Sequence, residues 1–397
     1  MKNIHAFPAA ASSKISPRIG SNSTTVCASN LQKLYFPALT GFRAVAAWLV
    51  FFHHFNPFTR DTALGRLVYE GHMGVTVFFV LSGFLICVRY FNRTTFSRQW
   101  VGAYLQNRVA RIYPLYLLLT CVTFIVIAFY PAYDYTGTWP TYSLKDKLLA
   151  VGLNLTFLRG LFDQFKFTGI PPGWTLTVEE CFYLSAPLLL AGLARYTKLR
   201  LLAYAAGILG LGIVLVVLPT PFHPYGFFAS FPFMLNNTFL GRCLEFLAGI
   251  YLGLYVLQKA IFRPDARPLY TLIGIVWISV CLAAMAWVDI PGLQTRVIFV
   301  ERILLNNVLL APGICSLFYG LITEHSLLRN VLSSKLFDLL GKSSYAFYLI
   351  HYGVLSRLLE LYVTHNLAAS FLITNLVAIG LYKCIEHPFQ EMLAARK

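Results

Sequence analysis

The amino-acid sequence predicts an all-α, polytopic integral membrane protein, with about ten transmembrane helices in one bundle and both termini in the cytoplasm. The chain of 397 residues is 57% hydrophobic and 12% charged, a composition that excludes an ordinary soluble domain. Ionisable residues stand inside several of its long apolar stretches, where charge is costly to bury. Each of these residues is therefore a candidate for function, and the pattern favours an enzyme of the bilayer.

Apolar stretches long enough to cross a bilayer define the predicted helices. We place the spans near 39–56, 72–90, 110–130, 175–192, 200–219, 233–256, 269–288, 303–323, 343–362 and 367–386. The segment 144–160 is shorter and carries three charged residues, so we expect it to be interfacial or re-entrant. The spans form one transmembrane domain, 33–390, between a disordered cytoplasmic tail, 1–32, and a short cytoplasmic tail, 391–397.

The distribution of basic residues predicts the orientation. Of the 32 Lys and Arg residues, 21 lie in or next to predicted inner segments, 8 in outer loops and 3 within spans. This bias predicts cytoplasmic termini, and it explains the net charge of +16 by contact with an anionic inner leaflet. No basic run is long enough to follow a phosphate backbone, so the expected partner is the lipid bilayer and not nucleic acid.

The first span carries an arginine and a histidine on one face. Arg43 and His54 are eleven residues apart, which at about 100° per residue returns to the same face, roughly 16 Å along the axis. His54 then lies toward the outer side, at the depth of Glu179 and Glu180 in the fourth span. A histidine oriented by a carboxylate can act as a general base on a hydroxyl. The alternative is an interfacial histidine, with glutamates that favour a helix start.

Two arginines mark the predicted cytoplasmic mouth. Arg108 and Arg111 are three residues apart and therefore neighbours on one helical face. Paired guanidinium groups suit a phosphorylated cytosolic molecule. Anchoring of the helix to anionic lipid headgroups is the alternative interpretation.

Polar residues in two later spans allow two interpretations each. Arg242 and Glu245 have the i, i+3 spacing of an intrahelical ion pair, which favours structural stabilisation over direct contact with a ligand. In the ninth span, Ser344, Tyr348 and His351 share a face. They either line the same cavity or belong to a hydrogen-bonded packing contact.

Motifs of several common enzyme classes are missing from the sequence. There is no G-x-S-x-G elbow, no H-E-x-x-H pair and no phosphate-binding Gly-rich loop, and the cysteines lack the spacing of a zinc site. No metal site is therefore expected.

Ser82 and Gly83 stand among bulky residues of the second span, which predicts close helix packing there.

Seven ordered motifs together resemble the acyltransferase-3 family of integral membrane acyltransferases, many of which O-acetylate bacterial surface polysaccharides. They are LTGFRAVAAWLVFFHHF, GVTVFFVLSGFLI, NRVARIYPLY, PGWTLTVEECFYL, GRCLEFLAG, GKSSYAFYLIHYGVL and the closing EHPF. The resemblance extends over roughly residues 33–390. Some family members carry an additional esterase domain outside the membrane, and we expect this chain to act without one.

The resemblance implies a role for each matching position. It assigns catalysis to Arg43, His54, Glu179 and Glu180, donor binding to Arg108 and Arg111, and substrate binding to Trp174, Arg242, Glu245, Tyr345 and His351. One departure is Cys181, where the family commonly has glutamine.

The function expected on these grounds is transfer of an acyl group, in particular acetyl, from cytosolic acyl-CoA to a hydroxyl of a sugar or glycoconjugate, with His54 as general base. Acyl-CoA would be a co-substrate, with no permanently bound cofactor, and the protein would lie in a bacterial inner membrane. Two alternatives use the same residues. The first is a carrier or exporter of a lipid-linked or small anionic metabolite, and the second is a structural membrane partner with internal ion pairs.

Overall fold

The computed structural model describes residues 35–91, 97–193, 197–259, 267–288 and 296–395, which fold into α-helices with no sheet. The helices of the first half are α1 Pro37–His54, α2 Ala63–Tyr69, α3 Met73–Tyr90, α4 Arg98–Phe129, α5 Leu144–Leu155, α6 Trp174–Gly192 and α7 Thr197–Val216. Those of the second half are α8 Phe231–Asn237, α9 Phe239–Gln258, α10 Leu269–Val288, α11 Arg296–Ile303, α12 Leu310–Thr323, α13 Leu327–Leu332, α14 Lys335–Lys342, α15 Ser344–Ile350, α16 Val354–Tyr362, α17 Leu367–Leu381 and α18 His387–Leu393.

Short irregular turns join some helices into longer rods. A 3₁₀ turn, Glu70–His72, continues α2 into α3, and π-helical turns at Leu304–Leu309 and Tyr382–Glu386 continue α11 into α12 and α17 into α18. Of the described residues, seven helical stretches are long and apolar enough to cross a membrane: Ala63–Tyr90, Arg98–Phe129, Leu199–Val216, Phe231–Gln258, Leu269–Val288, Val300–Thr323 and Leu367–Leu393. Each matches a predicted span, so the all-α polytopic membrane class is confirmed.

The other three predicted spans differ from these seven. Spans 39–56 and 175–192 correspond to α1 and α6, helices of 18 and 19 residues that are less apolar because they carry the candidate ionisable residues. The prediction of one helix over 343–362 is wrong, because the chain breaks between α15 and α16. Gly353 lies in this break with φ of +142°, a conformation that favours glycine, and His351 caps the end of α15.

Helix α4 begins well before the predicted start of its span at 110. The Ser97 side chain accepts a hydrogen bond from the Trp100 N–H and caps the helix, which then runs for 32 residues. Pro114 lies inside this helix. The uncertain segment 144–160 contains α5, whose 12 residues extend only about 18 Å and are too short to span the hydrocarbon core.

Glycines bring α3 and α9 into close contact at the centre of the bundle. A Cβ atom at Gly83 would lie 2.1 Å from the Phe246 carbonyl oxygen, and one at Gly249 would lie 2.0 Å from the Val80 carbonyl oxygen. Any side chain would therefore separate the two backbones, and the packing predicted for Gly83 is confirmed. This contact fixes the position of α3 beside α1 and α6, where the candidate residues lie.

The predicted tails are described only in part. The tail 1–32 lies outside the described residues. At the other end the chain stays helical to Leu393, whose carbonyl oxygen accepts a hydrogen bond of 2.9 Å from the Gln106 side chain. The Ala395 N–H donates to the Asn107 side chain at 3.1 Å, so residues 391–395 lie against α4.

Candidate active site

A cavity lies inside the bundle between α1, α3, α4, α6 and α15. Its volume is about 70 Å³, and aliphatic and aromatic residues of α3 form much of its wall. The polar and charged side chains that line it are those of Arg43, Ser82, Arg108, Arg111, Thr175, Glu179, Tyr183, Tyr345 and Tyr348. Five of the eleven predicted site residues are among them: Arg43, Arg108, Arg111, Glu179 and Tyr345.

Three guanidinium groups reach this cavity from two helices. Arg43 comes from α1, and Arg108 and Arg111 come from one face of α4, as their spacing predicts. Arg108 is only 6% exposed and its guanidinium lies over the rings of Tyr90 and Tyr183, at 5.7 and 5.6 Å from their centroids. Its Nε has no hydrogen-bond partner among the described atoms. The cavity is therefore strongly cationic, with a donor available to an anionic ligand.

Two carboxylates balance part of this positive charge. Glu179 and Glu386 both lie close enough to act electrostatically on the Arg43 guanidinium. Glu386 is buried in the π-helical turn before α18, and its Oε2 atom has no partner among the described residues. In the sequence Glu386 belongs to the EHPF motif and was not predicted as a site residue. An ionisable residue in a membrane-spanning helix is nevertheless a signal of function.

Glu179 accepts hydrogen bonds from two hydroxyl groups that the sequence did not predict as its partners. Its Oε1 atom accepts a hydrogen bond from the Ser82 hydroxyl at 2.5 Å and another from the Tyr183 hydroxyl. Tyr183 is four residues after Glu179 and therefore on the same face of α6, a spacing that could have indicated the contact. Ser82 lies on α3, so its hydrogen bond to Glu179 joins α3 to α6.

His54 lies away from the cavity lining. Its ring stacks on Tyr352, with centroids 4.0 Å apart, and lies 5.3 Å from the ring of His351. The structure thus places a second imidazole beside His54, where a carboxylate was expected. Glu180 is also outside the cavity lining and lies near Arg108 and Glu179. Of the described residues, none forms a hydrogen bond with His54.

The tautomer of His351 follows from its one hydrogen bond. Its Nδ1 lies 2.8 Å from the Tyr348 carbonyl oxygen, and because a carbonyl only accepts, Nδ1 carries the proton. The other ring nitrogen, Nε2, is buried and has no partner within the described part of the chain. Tyr348 connects the two regions, because its carbonyl holds His351 while its side chain lines the cavity and its hydroxyl lies 3.1 Å from that of Thr175.

Arg242 and Glu245 form the intrahelical ion pair predicted from their spacing. Arg242 Nε lies 2.6 Å from Glu245 Oε1, and both side chains are buried. Arg242 also donates to the Thr76 hydroxyl at 3.0 Å and to the Asn236 carbonyl at 3.3 Å. Neither residue lines the cavity. These contacts join α3, α8 and α9, which favours a structural role over contact with a substrate.

Trp174 and Tyr345 occupy structural positions at the edge of the site. Trp174 is the first residue of α6 and packs against the main hydrophobic core. The Tyr345 hydroxyl donates to the Ile112 carbonyl at 2.8 Å, which ties α15 to α4 beside the cavity.

A fully buried arginine, Arg159, supports the segment that leads into α6. Its guanidinium donates to the Asn154 side chain at 2.7 Å and to the carbonyl oxygens of Thr168 and Ile170. Burial lowers the pKa of Arg159 below its ordinary value. The sequence offered no signal for this role, because Arg159 lies in a loop with no regular spacing.

Comparison with known proteins agrees with this architecture. A family model described as an acyltransferase domain, that of the acyltransferase-3 family, matches residues 36–383. The chain is similar to O-acetyltransferase OatA of Staphylococcus aureus (strain NCTC 8325 / PS 47), with 26% identity over 385 residues, 90% of this chain and 57% of that protein. It is also similar to acyltransferase MdmB of Streptomyces mycarofaciens, with 29% identity over 395 residues, 91% of this chain and 93% of that one.

The alignment with OatA spans little more than half the length of that relative. No solved structure matches the chain. The family match covers most of the chain and includes every helix that lines the cavity. The chain therefore belongs to the acyltransferase-3 family.

Proposed function

We propose that the protein transfers an acyl group, acetyl in particular, from cytosolic acyl-CoA to a hydroxyl of a sugar or glycoconjugate. The observation that carries this proposal is the convergence of Arg43, Arg108 and Arg111 on one intramembrane cavity that also contains Glu179. The name of the OatA relative, an O-acetyltransferase, supports transfer to an oxygen.

The three arginines suit the anionic donor. Guanidinium groups bind phosphate through charge-assisted hydrogen bonds, and the Arg108 Nε still lacks a partner among the described atoms. The cavity of about 70 Å³ is much smaller than typical ligand pockets of about 300–1,000 Å³. The thioester end of the donor would therefore enter between the helices while its nucleotide stays at the predicted cytoplasmic mouth.

The two imidazoles suit the acceptor. His54 would take the proton of the attacking hydroxyl as general base. His351 is fully buried, and its Nε2 atom would accept a hydrogen bond from the same substrate. The predicted orientation places both histidines toward the outer side and the arginines toward the cytoplasm, and this supports a location in a bacterial inner membrane with an acceptor that arrives from outside.

The proposal is tested by acetyl-CoA turnover in nanodiscs. Purified protein is mixed with acetyl-CoA and a panel of glycosides and cell-envelope extracts, and the release of free thiol is followed. Acceptor-dependent thiol release, with the acetyl group recovered as an ester of the acceptor, supports the assignment. If no acceptor elicits thiol release and acetyl-CoA does not bind, the donor is wrong and a carrier of an anionic metabolite becomes the better explanation.

A further inference from the structure

Ser82, Glu179 and Tyr183 form a connected hydrogen-bonded group at the cavity wall. The Ser82 hydroxyl donates to Glu179 Oε1 at 2.5 Å, and the Tyr183 hydroxyl donates to the same oxygen. All three side chains line the cavity that contains the arginines. A hydroxyl within hydrogen-bond reach of a base that is itself oriented by a third group is the arrangement of an activated nucleophile.

The Ser82 hydroxyl does not make the contact that is most common for hydroxyls within helices; in the described chain Thr271 of α10 also donates to a carboxylate, that of Glu324, at 2.7 Å. Serine and threonine within helices commonly donate to a carbonyl of the preceding turn, as Ser185 does to Phe182 at 3.0 Å and Thr374 to Ser370 at 2.7 Å. Ser82 instead donates to a carboxylate on another helix. Close packing at Gly83 explains why α3 lies where it does, but it does not require a hydroxyl at position 82.

We infer that Ser82 is a catalytic nucleophile that carries the acyl group as an ester between donor and acceptor, with Glu179 as its base. This inference rests on the proposed function, because an acyl thioester must supply the group. Arg43 and Arg111 lie in the same cavity as Ser82 and carry the positive charge that stabilises the oxyanion of a tetrahedral intermediate.

The first half-reaction forms the ester. Ser82 Oγ attacks the thioester carbonyl carbon and its proton passes to Glu179. The carbon–sulfur bond breaks, and the CoA thiolate leaves and takes a proton from water at the cytoplasmic mouth.

The second half-reaction releases the product. The acceptor hydroxyl attacks the ester carbonyl and gives its proton to His54, which later loses it to outer water. Ser82 Oγ leaves with the proton held by Glu179, so both residues return to their starting forms.

The acyl ester on Ser82 is tested for in the absence of an acceptor. Protein in nanodiscs is incubated with acetyl-CoA labelled in the acetyl group, quenched in acid and digested, and the peptides are analysed by mass spectrometry. We expect one acetyl group on the peptide that contains Ser82, absent in Ser82→Ala and present in the matched control Ser185→Ala. Ser82→Cys, which keeps a nucleophile, should also acquire label, and this shows that the site tolerates substitution.

A second measurement follows the exchange of labelled CoA into acetyl-CoA without acceptor. A covalent ester predicts exchange in wild type and in His54→Ala, since His54 acts only in the second half-reaction, and no exchange in Ser82→Ala. With acceptor, the kcat of Ser82→Ala should fall by about 10³-fold or more.

The outcomes separate this inference from the proposed function. Acceptor-dependent thiol release without acetyl on Ser82 and without exchange means direct transfer, which overturns the inference and leaves the proposed function intact. Label on Tyr183 or His54 in place of Ser82 also overturns it. Absence of both thiol release and acetyl-CoA binding in wild type overturns the proposed function itself.

Discussion

The imidazole rings of His54 and His351 lie with their centroids 5.3 Å apart and their planes inclined by 35°. One ring ends α1 and the other lies in the break between α15 and α16. Tyr352 covers His54 by stacking, and the Tyr348 carbonyl fixes the tautomer of His351. The His351 Nε2 atom and the His54 ring have no hydrogen-bond partner among the described residues and can bond to hydroxyl groups, and this arrangement leads to the first two predictions.

Replacement of His54 by alanine should lower kcat by about 10² to 10⁴, the usual contribution of a general base. The KM for acetyl-CoA should change little, because His54 lies outside the arginine-lined cavity. The matched control is His53→Ala, one residue earlier on α1, whose Nδ1 contacts the Tyr69 carbonyl. Steady-state kinetics on both variants makes the comparison, and equal losses in the two would contradict a specific role for His54.

Replacement of His351 by alanine should raise the KM for the acceptor about fivefold, the loss of one hydrogen bond worth about 1 kcal/mol. The dissociation constant of acetyl-CoA should stay unchanged. A purely structural His351 predicts a different result, a lower Tm with similar effects on both substrates. Acceptor titration and donor binding on the same preparation distinguish the two results.

Replacement of Arg108 by alanine should raise the KM for acetyl-CoA by about 10- to 100-fold, because a charge-assisted hydrogen bond is lost. Arg108→Lys should lie between wild type and Arg108→Ala, since lysine keeps the charge without the planar fork. Arg98→Ala, at an exposed position of the same helix, is the control and should behave as wild type. An unchanged KM for acetyl-CoA in Arg108→Ala would contradict a role for Arg108 in binding the donor.

The sequence predicted most of the fold because bilayer-spanning helices need long apolar stretches, which are visible without any tertiary information. The break at His351 was missed because the surrounding residues, YLIHYGVL, continue the apolar pattern and Gly353 is the only local signal. The early start of α4 was missed for the opposite reason. Its first turns, around Arg98, are polar and extend beyond the apolar stretch that marks the span.

The site was predicted in part. Helical face brought Arg108 and Arg111 together, but the sequence placed Glu179 at the depth of His54, whereas in the structure Glu179 lines the same cavity as Arg43, Arg108 and Arg111. The partners of these residues could not be predicted. Ser82 meets Glu179 only because α3 packs closely on its neighbours, and the pairing of faces between helices depends on three-dimensional packing. The same limit explains why His54 was assigned a carboxylate partner when the structure places His351 beside it.

The buried pair Arg242–Glu245 should behave as a structural element. Removal of one charge, in Glu245→Gln or Arg242→Met, should cost about 3–5 kcal/mol because the other charge stays buried without its partner. The double variant Arg242→Met/Glu245→Leu should recover much of this loss. Thermal unfolding in detergent measures the effect, and the KM values of the double variant report on ligand contact. A stable double variant with a greatly raised KM would instead place the pair in the substrate site.

Asp338 on α14 should make stability depend on pH. Burial acts to raise the pKa of Asp338, but hydrogen bonds from Lys342, at 2.7 Å, and from the Tyr35 hydroxyl outweigh it and hold the pKa below its ordinary value. A depressed pKa stabilises the fold above the unfolded value of about 3.9, and this contribution is lost as the pH falls through the folded value. The side chains are partly exposed, so the effect should be at most about 1 kcal/mol.

The Tm of wild type should therefore exceed that of Asp338→Asn near neutral pH, and the two values should converge as the pH falls below about 4. The control is Glu360→Gln, because Glu360 pairs with Arg357 at 3.1 Å but both side chains are roughly half exposed, and such pairs contribute little. A difference between wild type and Asp338→Asn that persists unchanged at low pH would mean that the contact among Tyr35, Asp338 and Lys342 does not depend on the carboxylate charge.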